Sequence, residues 1–124
     1  VLLGPSKFSD WASWAEVGLS TAGTATEQLV GLGIPAISFP GRGPQFKKSF
    51  AIRQSRLLGG AVIPCFSKEA LSNRLNLLLA DRELCSVLGS IGRKRMGSPG
   101  GSDALAKLLL RDFLRLRDNV KKET

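Results

Sequence analysis

The chain has 124 residues, 43% of them hydrophobic and 23% charged, with a net charge of +8. This composition fits one domain with a real core and excludes a disordered tail. No apolar run approaches the roughly 18 residues that a membrane-spanning helix needs. Histidine is absent, so the chain supplies neither a His base nor a His ligand for a metal.

The amino-terminal half alternates short apolar runs with helical patterns. An apolar stub at Val1–Leu3 precedes a brief helix over Phe8–Ala15. Predicted strands cover residues 16–20, 34–39 and 61–64, and predicted helices cover 25–32, closed by Gly33, and 45–58. This alternation favours an α/β fold of Rossmann-like type, a parallel sheet of three to four strands with helices on both faces.

The carboxyl-terminal half is predicted to be helical. Ser67 is placed to cap a helix whose leucines recur at helical spacing, and a second helix covers residues 81–96. Ser102 is expected to cap the last helix, whose apolar stripe is Leu105, Leu109, Phe113, Leu116 and Val120. The favoured interpretation packs this stripe into the core; the alternative lays the helix, with its basic residues, on an anionic membrane surface.

The two cysteines, Cys65 and Cys85, lie far apart and form no CxxC pair. The pattern therefore predicts free thiols and no structural zinc site. The first residues show neither a starting Met nor a signal peptide, so the chain is expected to be a segment of a longer protein, a single partial domain over residues 1–124.

The segment with most chemical information follows the first full strand, Ser20-Thr21-Ala22-Gly23-Thr24-Ala25-Thr26-Glu27-Gln28. Ligands of open α/β sheets bind at the carboxyl ends of strands, and a helix start offers free amides and a positive dipole end. The amides of Thr24, Ala25 and Thr26, with nearby threonine hydroxyls, therefore predict a diphosphate site. The competing interpretation is structural: Thr24 caps the helix in a capping box with Glu27.

The distribution of charge supports the interpretation of this segment as a diphosphate site. No acidic residue lies between Glu27 and Glu69, whereas the segment carries six basic ones. Arg42, Lys47 and Lys48 flank the loop after the next strand, where a positive field favours a phosphorylated ligand. The alternative is an ordinary solvated helix face.

Three stretches resemble GT-B glycosyltransferases, and most of all lipid-A-disaccharide synthase and its related proteins of cyanobacteria and plants. They are residues 22–35 (AGTATEQLVGLGIP), 39–46 (FPGRGPQF) and 92–101 (GRKRMGSPGG), in the order that the family has them. The resemblance implies half of a GT-B fold: the carboxyl-terminal, UDP-sugar-binding domain, with the acceptor domain missing.

The resemblance also implies functional residues. Gly23, Thr24 and Ala25 would hold the diphosphate through their backbone amides, and Pro44 and Gln45 would lie near the sugar or phosphates. Ala22, Thr26 and Arg42 complete the predicted nucleotide-sugar site. The family's ribose-binding carboxylate falls at Gln28, with Glu27 one residue earlier, so either residue is a candidate for the diol.

The implied activity is that of a hexosyltransferase moving an acylated glucosamine-type sugar from UDP to a lipid-linked acceptor. No metal or other cofactor is expected, and the catalytic base would come from the missing domain, leaving this chain alone inactive. The implied location is the cytoplasm, peripheral to a membrane, or a plastid for a plant protein. One rival hypothesis is a basic module that binds nucleotides or nucleic acid, although the sequence contains no RNA-binding motif to support it. The other is a degenerate relative that is not an enzyme.

Overall fold

The computed structural model describes residues 8–21, 23–42, 47–98 and 100–123, with a three-stranded parallel sheet at the centre. The strands are β1 (Gly18–Thr21), β2 (Ala36–Phe39) and β3 (Val62–Pro64). They lie in the order β1-β2-β3, and Gly18 pairs with Ala36 while Thr21 pairs with Phe39. The predicted α/β Rossmann-like fold is thereby confirmed, with three strands among the described residues.

Six helices accompany the sheet in the described part of the chain. They are α1 (Phe8–Ala12), α2 (Thr24–Gly31), α3 (Lys48–Leu57), α4 (Lys68–Ala80), α5 (Arg82–Met96) and α6 (Gly101–Glu123). The predicted helix over 8–15 is thus too long: after Ala12 the chain forms a turn, in which the Ser13 hydroxyl donates to Asp10 O at 2.6 Å.

Both faces of the sheet are covered. On one face Val30 of α2 and Leu58 after α3 pack on Ala36, Ala61 and Val62. On the other face Ile37 and Cys65 pack on Leu78 of α4, together with apolar residues of α4 and α5. Because neighbouring strand residues point to opposite faces, Ser38 lies on the same face as Ala36, beneath α2 and α3.

Helix α5 joins the two layers through close contact with α2. Gly92 is buried, and a Cβ there would meet the Val30 side chain. A Cβ at Gly89 would meet the backbone carbonyl of Gly33. The Arg93 guanidinium also donates to Leu32 O, from Nη2 at 3.1 Å, at the end of α2. The positive charge lies where the dipole of α2 is negative.

The helix starts predicted from the sequence match the observed ones in some places only. Ser67 caps α4 as predicted, accepting from Ala70 N at 3.1 Å. Asp81, predicted inside the following helix, is instead its cap and accepts from Leu84 N at 2.9 Å. Ser102 is not a cap, because α6 already begins at Gly101 and Ala104 N donates to Gly100 O.

The apolar stripe of α6 does not pack into a core. No residue described in α6 is buried, and Leu105, Leu109 and Phe113 are 56%, 61% and 65% exposed. The favoured sequence interpretation of this stripe is therefore wrong for the described chain. The periodicity correctly places apolar residues on one face but carries no information on what covers that face.

Candidate anion-binding site at the end of the first strand

The elbow between β1 and α2, of which residues 21 and 23–25 are described, lies at the carboxyl edge of the sheet. Gly23 is the N-cap of α2 and has φ 149°, a conformation that favours glycine. A Cβ built on Gly23 would have no atom within 4 Å. The described elbow is therefore open on the side to which a side chain would point, and a ligand can approach its backbone there.

Two amides at the start of α2 are unused. Thr24 and Ala25 are exposed, and neither backbone N–H donates to any acceptor among the described residues. The third predicted donor is different, because Thr26 N donates to Gly23 O at 3.1 Å. The expectation of three free amides is thus corrected to two, which point outward at the positive end of the helix dipole.

The Thr26 hydroxyl is not available to a ligand either. Thr26 is fully buried, and its Oγ1 donates to Thr21 O at 3.0 Å. Because that bond uses its only proton, the Ser20 hydroxyl, 2.7 Å away, must donate to Thr26 Oγ1. Thr26 therefore fastens α2 to β1 rather than adding a donor at the surface.

The capping-box interpretation is also wrong. The N-cap is Gly23 and not Thr24, and no side chain makes a cap hydrogen bond at this helix start. An anion at this position would replace what a capping side chain supplies elsewhere.

Glu27 and Gln28 differ in environment. Glu27 is half-buried, and its Oε1 accepts from Gln54 Nε2 at 3.4 Å. Gln28 is exposed, and its amide group has no hydrogen-bond partner among the described residues. Of the two candidates for a ribose diol, Gln28 is thus the one whose side chain is unengaged.

Gln54 of α3 is the residue that the sequence interpretation missed. It is only 3% exposed, and its Nε2 donates to Gly23 O at 3.1 Å. A signal was present: Ala51, Gln54 and Leu58 follow helical spacing and all three are buried, so a glutamine occupies a core-facing position.

The basic residues lie at the same edge of the sheet. Arg42 follows the end of β2 and is exposed, and Lys47 and Lys48 stand at the start of α3. Lys48 Nζ lies 4.7 Å from the centre of the Phe66 ring, just after β3. Three further predicted site residues, Ala22, Pro44 and Gln45, lie outside the described residues.

A cavity of about 280 Å³ lies at the opposite, amino-terminal edge, between Glu16, Pro35, Leu78 and Cys85. Both cysteines are free. Burial, with Glu16 and Asp81 adding to it, raises the pKa of the Cys85 thiol, which donates to Leu78 O at 3.0 Å. A protonated thiol that already donates a hydrogen bond is a poor nucleophile, so Cys85 does not give this cavity a reactive thiolate.

Within the described ranges, no group of three or more Cys, Asp or Glu side chains is arranged to hold a metal ion. The described helices also include none with the length and apolar character that crossing a membrane requires. Comparisons with protein-family models, with curated proteins and with solved structures found no match. The fold and the open elbow are thus the observations from which a function is inferred.

Proposed function

We propose that the chain is the donor-binding domain of a GT-B glycosyltransferase and that the elbow holds the diphosphate of a UDP-sugar. The observation that carries the proposal is that the amides of the exposed residues Thr24 and Ala25, beside Gly23, donate to no acceptor in the described part of the chain. Backbone N–H groups at a helix start bind phosphate oxygens through hydrogen bonds and the helix dipole.

The same arrangement has a role in group transfer. When a sugar leaves UDP, the bond between its anomeric carbon and the β-phosphate oxygen breaks, and that oxygen gains negative charge. Fixed donors at the developing charge lower the barrier, because they need no reorganisation during the reaction. The chain would thus stabilise the leaving group, while a second domain binds the acceptor and supplies the base.

The ribose is assigned to Gln28. Gln28 is exposed and its amide has no partner within the described ranges, whereas Glu27 is half-buried beside Gln54. A neutral amide accepts and donates to a diol without the added strength of a charged group. The expected nucleotide affinity is therefore modest.

Substrate class follows from the sequence resemblance. We assign an acylated glucosamine-type sugar as the donor group and a lipid-linked sugar as the acceptor, as in lipid-A-disaccharide synthase. Arg42, Lys47 and Lys48 add positive charge at the edge where the phosphates would lie. The proposal requires no metal, since the amides, the helix dipole and these cations balance the diphosphate charge.

The test is an amide-detected NMR titration of the chain with UDP at millimolar concentration. Backbone signals of Gly23–Gln28 should shift and saturate, while those of α6 should not. Gly23→Val should remove the shifts, because its side chain fills the open space above the elbow and disfavours the φ of 149°.

Gly60→Val is the matched control. Gly60 also has a positive φ, 87°, and a Cβ there would have no atom within 4 Å, but this glycine lies before β3 at the other edge of the sheet. Both variants strain the backbone. Because only Gly23 lies in the elbow, only the Gly23 variant should lose UDP binding. Unchanged Gly23–Gln28 signals in the parent chain at saturating UDP would refute the proposal.

A further inference from the structure

Gln54 departs from what a core position requires. The residue is only 3% exposed, yet its Oε1 has no hydrogen-bond partner among the described residues. An unpaired buried carbonyl destabilises the folded chain, a penalty that leucine or methionine would avoid. The position therefore carries a polar group for a reason other than packing.

The amide orientation is fixed by its neighbours. Nε2 lies 3.1 Å from Gly23 O and 3.4 Å from Glu27 Oε1, and both are acceptors. Rotating the amide would put Oε1 against these two oxygens, which is repulsive. The Oε1 atom thus stays unpaired because the donors of Gln54 are committed to the elbow.

We propose that Gln54 is a positioning residue for the anion site, and this inference rests on the proposed function. By holding the carbonyl of Gly23, Gln54 sets the orientation of the peptide unit that contains the Thr24 amide, next to the Ala25 amide. By holding the Glu27 carboxylate, it keeps that negative charge on the α3 side of the helix. A diphosphate then meets the two amides without facing a carboxylate.

No side chain described on α2 itself performs this task. The start of α2 has no side-chain cap, and Gly23 O otherwise accepts only from Thr26 N and Glu27 N of the same helix among the described donors. Gln54 is 31 residues away in sequence. The elbow is therefore anchored from α3, a link between two elements that a local sequence pattern does not reveal.

The decisive variant is Gln54→Glu, because a carboxyl is the same size as the amide and changes its hydrogen-bonding role with pH. When protonated it donates an O–H to Gly23 O; when ionised it can only accept, and it repels Glu27 and a diphosphate. Burial and the neighbouring Glu27 carboxylate should raise the pKa of the introduced carboxyl above its ordinary value.

The measurement is the UDP dissociation constant of the full 124-residue chain, by NMR titration, at intervals between about pH 5 and about pH 9. The ratio of the Gln54→Glu constant to the parent constant removes the titration of UDP itself. We expect a ratio near one at the acidic end, rising about tenfold or more as pH increases, a change equivalent to about 1.4 kcal/mol.

Two further variants separate positioning from general damage. Leu57→Glu adds a carboxylate to the same helix at a position that is 67% exposed, and its ratio should stay flat with pH. Gln54→Met keeps the volume and removes the donors, so UDP affinity should fall at every pH. Circular dichroism at each pH restricts the comparison to folded protein.

The outcomes distinguish the inference from the proposed function. If the parent chain binds UDP while Gln54→Met binds equally well, or the Gln54→Glu ratio stays near one at every pH in folded protein, the positioning role is overturned and the donor site stands. If the parent chain does not bind UDP, both fall.

Discussion

At the scale of single residues, the site is built from small side chains with different tasks. Gly23 supplies a backbone conformation and open space, Thr26 fastens the helix to the strand, and Gln54 holds the elbow from the neighbouring helix. Only the exposed amides of Thr24 and Ala25 are left to meet a ligand in the described elbow. The Thr26 hydroxyl, which looks like a ligand group in the sequence, is therefore structural, and the amides proposed to bind phosphate belong to the main chain.

Thr26→Val tests the structural task. Valine has nearly the same shape but lacks the hydroxyl, so Ser20 Oγ loses its acceptor and Thr21 O loses a donor. The free energy of unfolding should fall by about 1–3 kcal/mol, measured by urea denaturation.

Thr24→Val is the control for that measurement. Thr24 is exposed on the same helix and its hydroxyl makes no hydrogen bond within the described chain, so its loss should change stability by less than about 0.5 kcal/mol. Equal losses in the two variants would mean that the Thr26 hydroxyl has no special role.

At the scale of elements, the apolar pattern is enough to place the three strands and the helices between them. The predicted strands agree with the observed ends to within about two residues, since buried runs bounded by Gly and Pro have few other interpretations. Helix starts are harder: Thr24, Asp81 and Ser102 each look able to cap or continue a helix, and tertiary contacts decide between them.

The candidate site is predicted less completely than the fold. The sequence locates the elbow, because a glycine after a strand and before a helix is a local pattern. The sequence does not reveal the Gln54 contact or the burial of the Thr26 hydroxyl, because both depend on packing between separate elements. The Gln54 contact exists only once α3 lies beside α2, and the Thr26 contacts exist only once α2 packs on β1.

The α2–α5 packing gives an element-scale prediction. A Cβ at Gly89 would meet the Gly33 carbonyl, a backbone atom that cannot rotate away. Gly89→Ala should therefore force the helices apart and lower the free energy of unfolding by about 1–3 kcal/mol, measured in urea.

Gly31→Ala provides the comparison on the partner helix. A Cβ there would touch only the Met96 side chain, at 3.7 Å, an ordinary contact. Alanine favours a helix over glycine, so this variant should be neutral or stabilising by up to about 1 kcal/mol. A Gly89→Ala protein as stable as the parent would show that α5 adjusts without loss.

At the scale of the whole molecule, charged residues and exposed apolar residues are distributed unevenly along the chain. The chain carries a net charge of +8, and no acidic residue lies between Glu27 and Glu69, the segment that leads from the elbow through the basic edge. Helix α6 adds an apolar stripe that is exposed in the described chain. The rival hypothesis of a general polyanion-binding module rests on this same charge. A test must therefore measure both the salt dependence of binding and the preference for UDP over other anions.

Salt provides that test. Raising NaCl from about 20 mM to about 500 mM screens charges separated by more than a few ångströms and should weaken UDP binding several-fold. Uridine, which has no phosphate, should bind weakly and with no salt dependence. For a diphosphate bound to the two amides, part of the affinity should remain at high salt, because short hydrogen bonds are screened less than distant charges.

A polyanion module would instead bind a single-stranded oligonucleotide more tightly than UDP and lose that binding steeply with salt. Oligonucleotide binding of this kind without any shift of the Gly23–Gln28 amides by UDP would replace the donor-site proposal with the rival one.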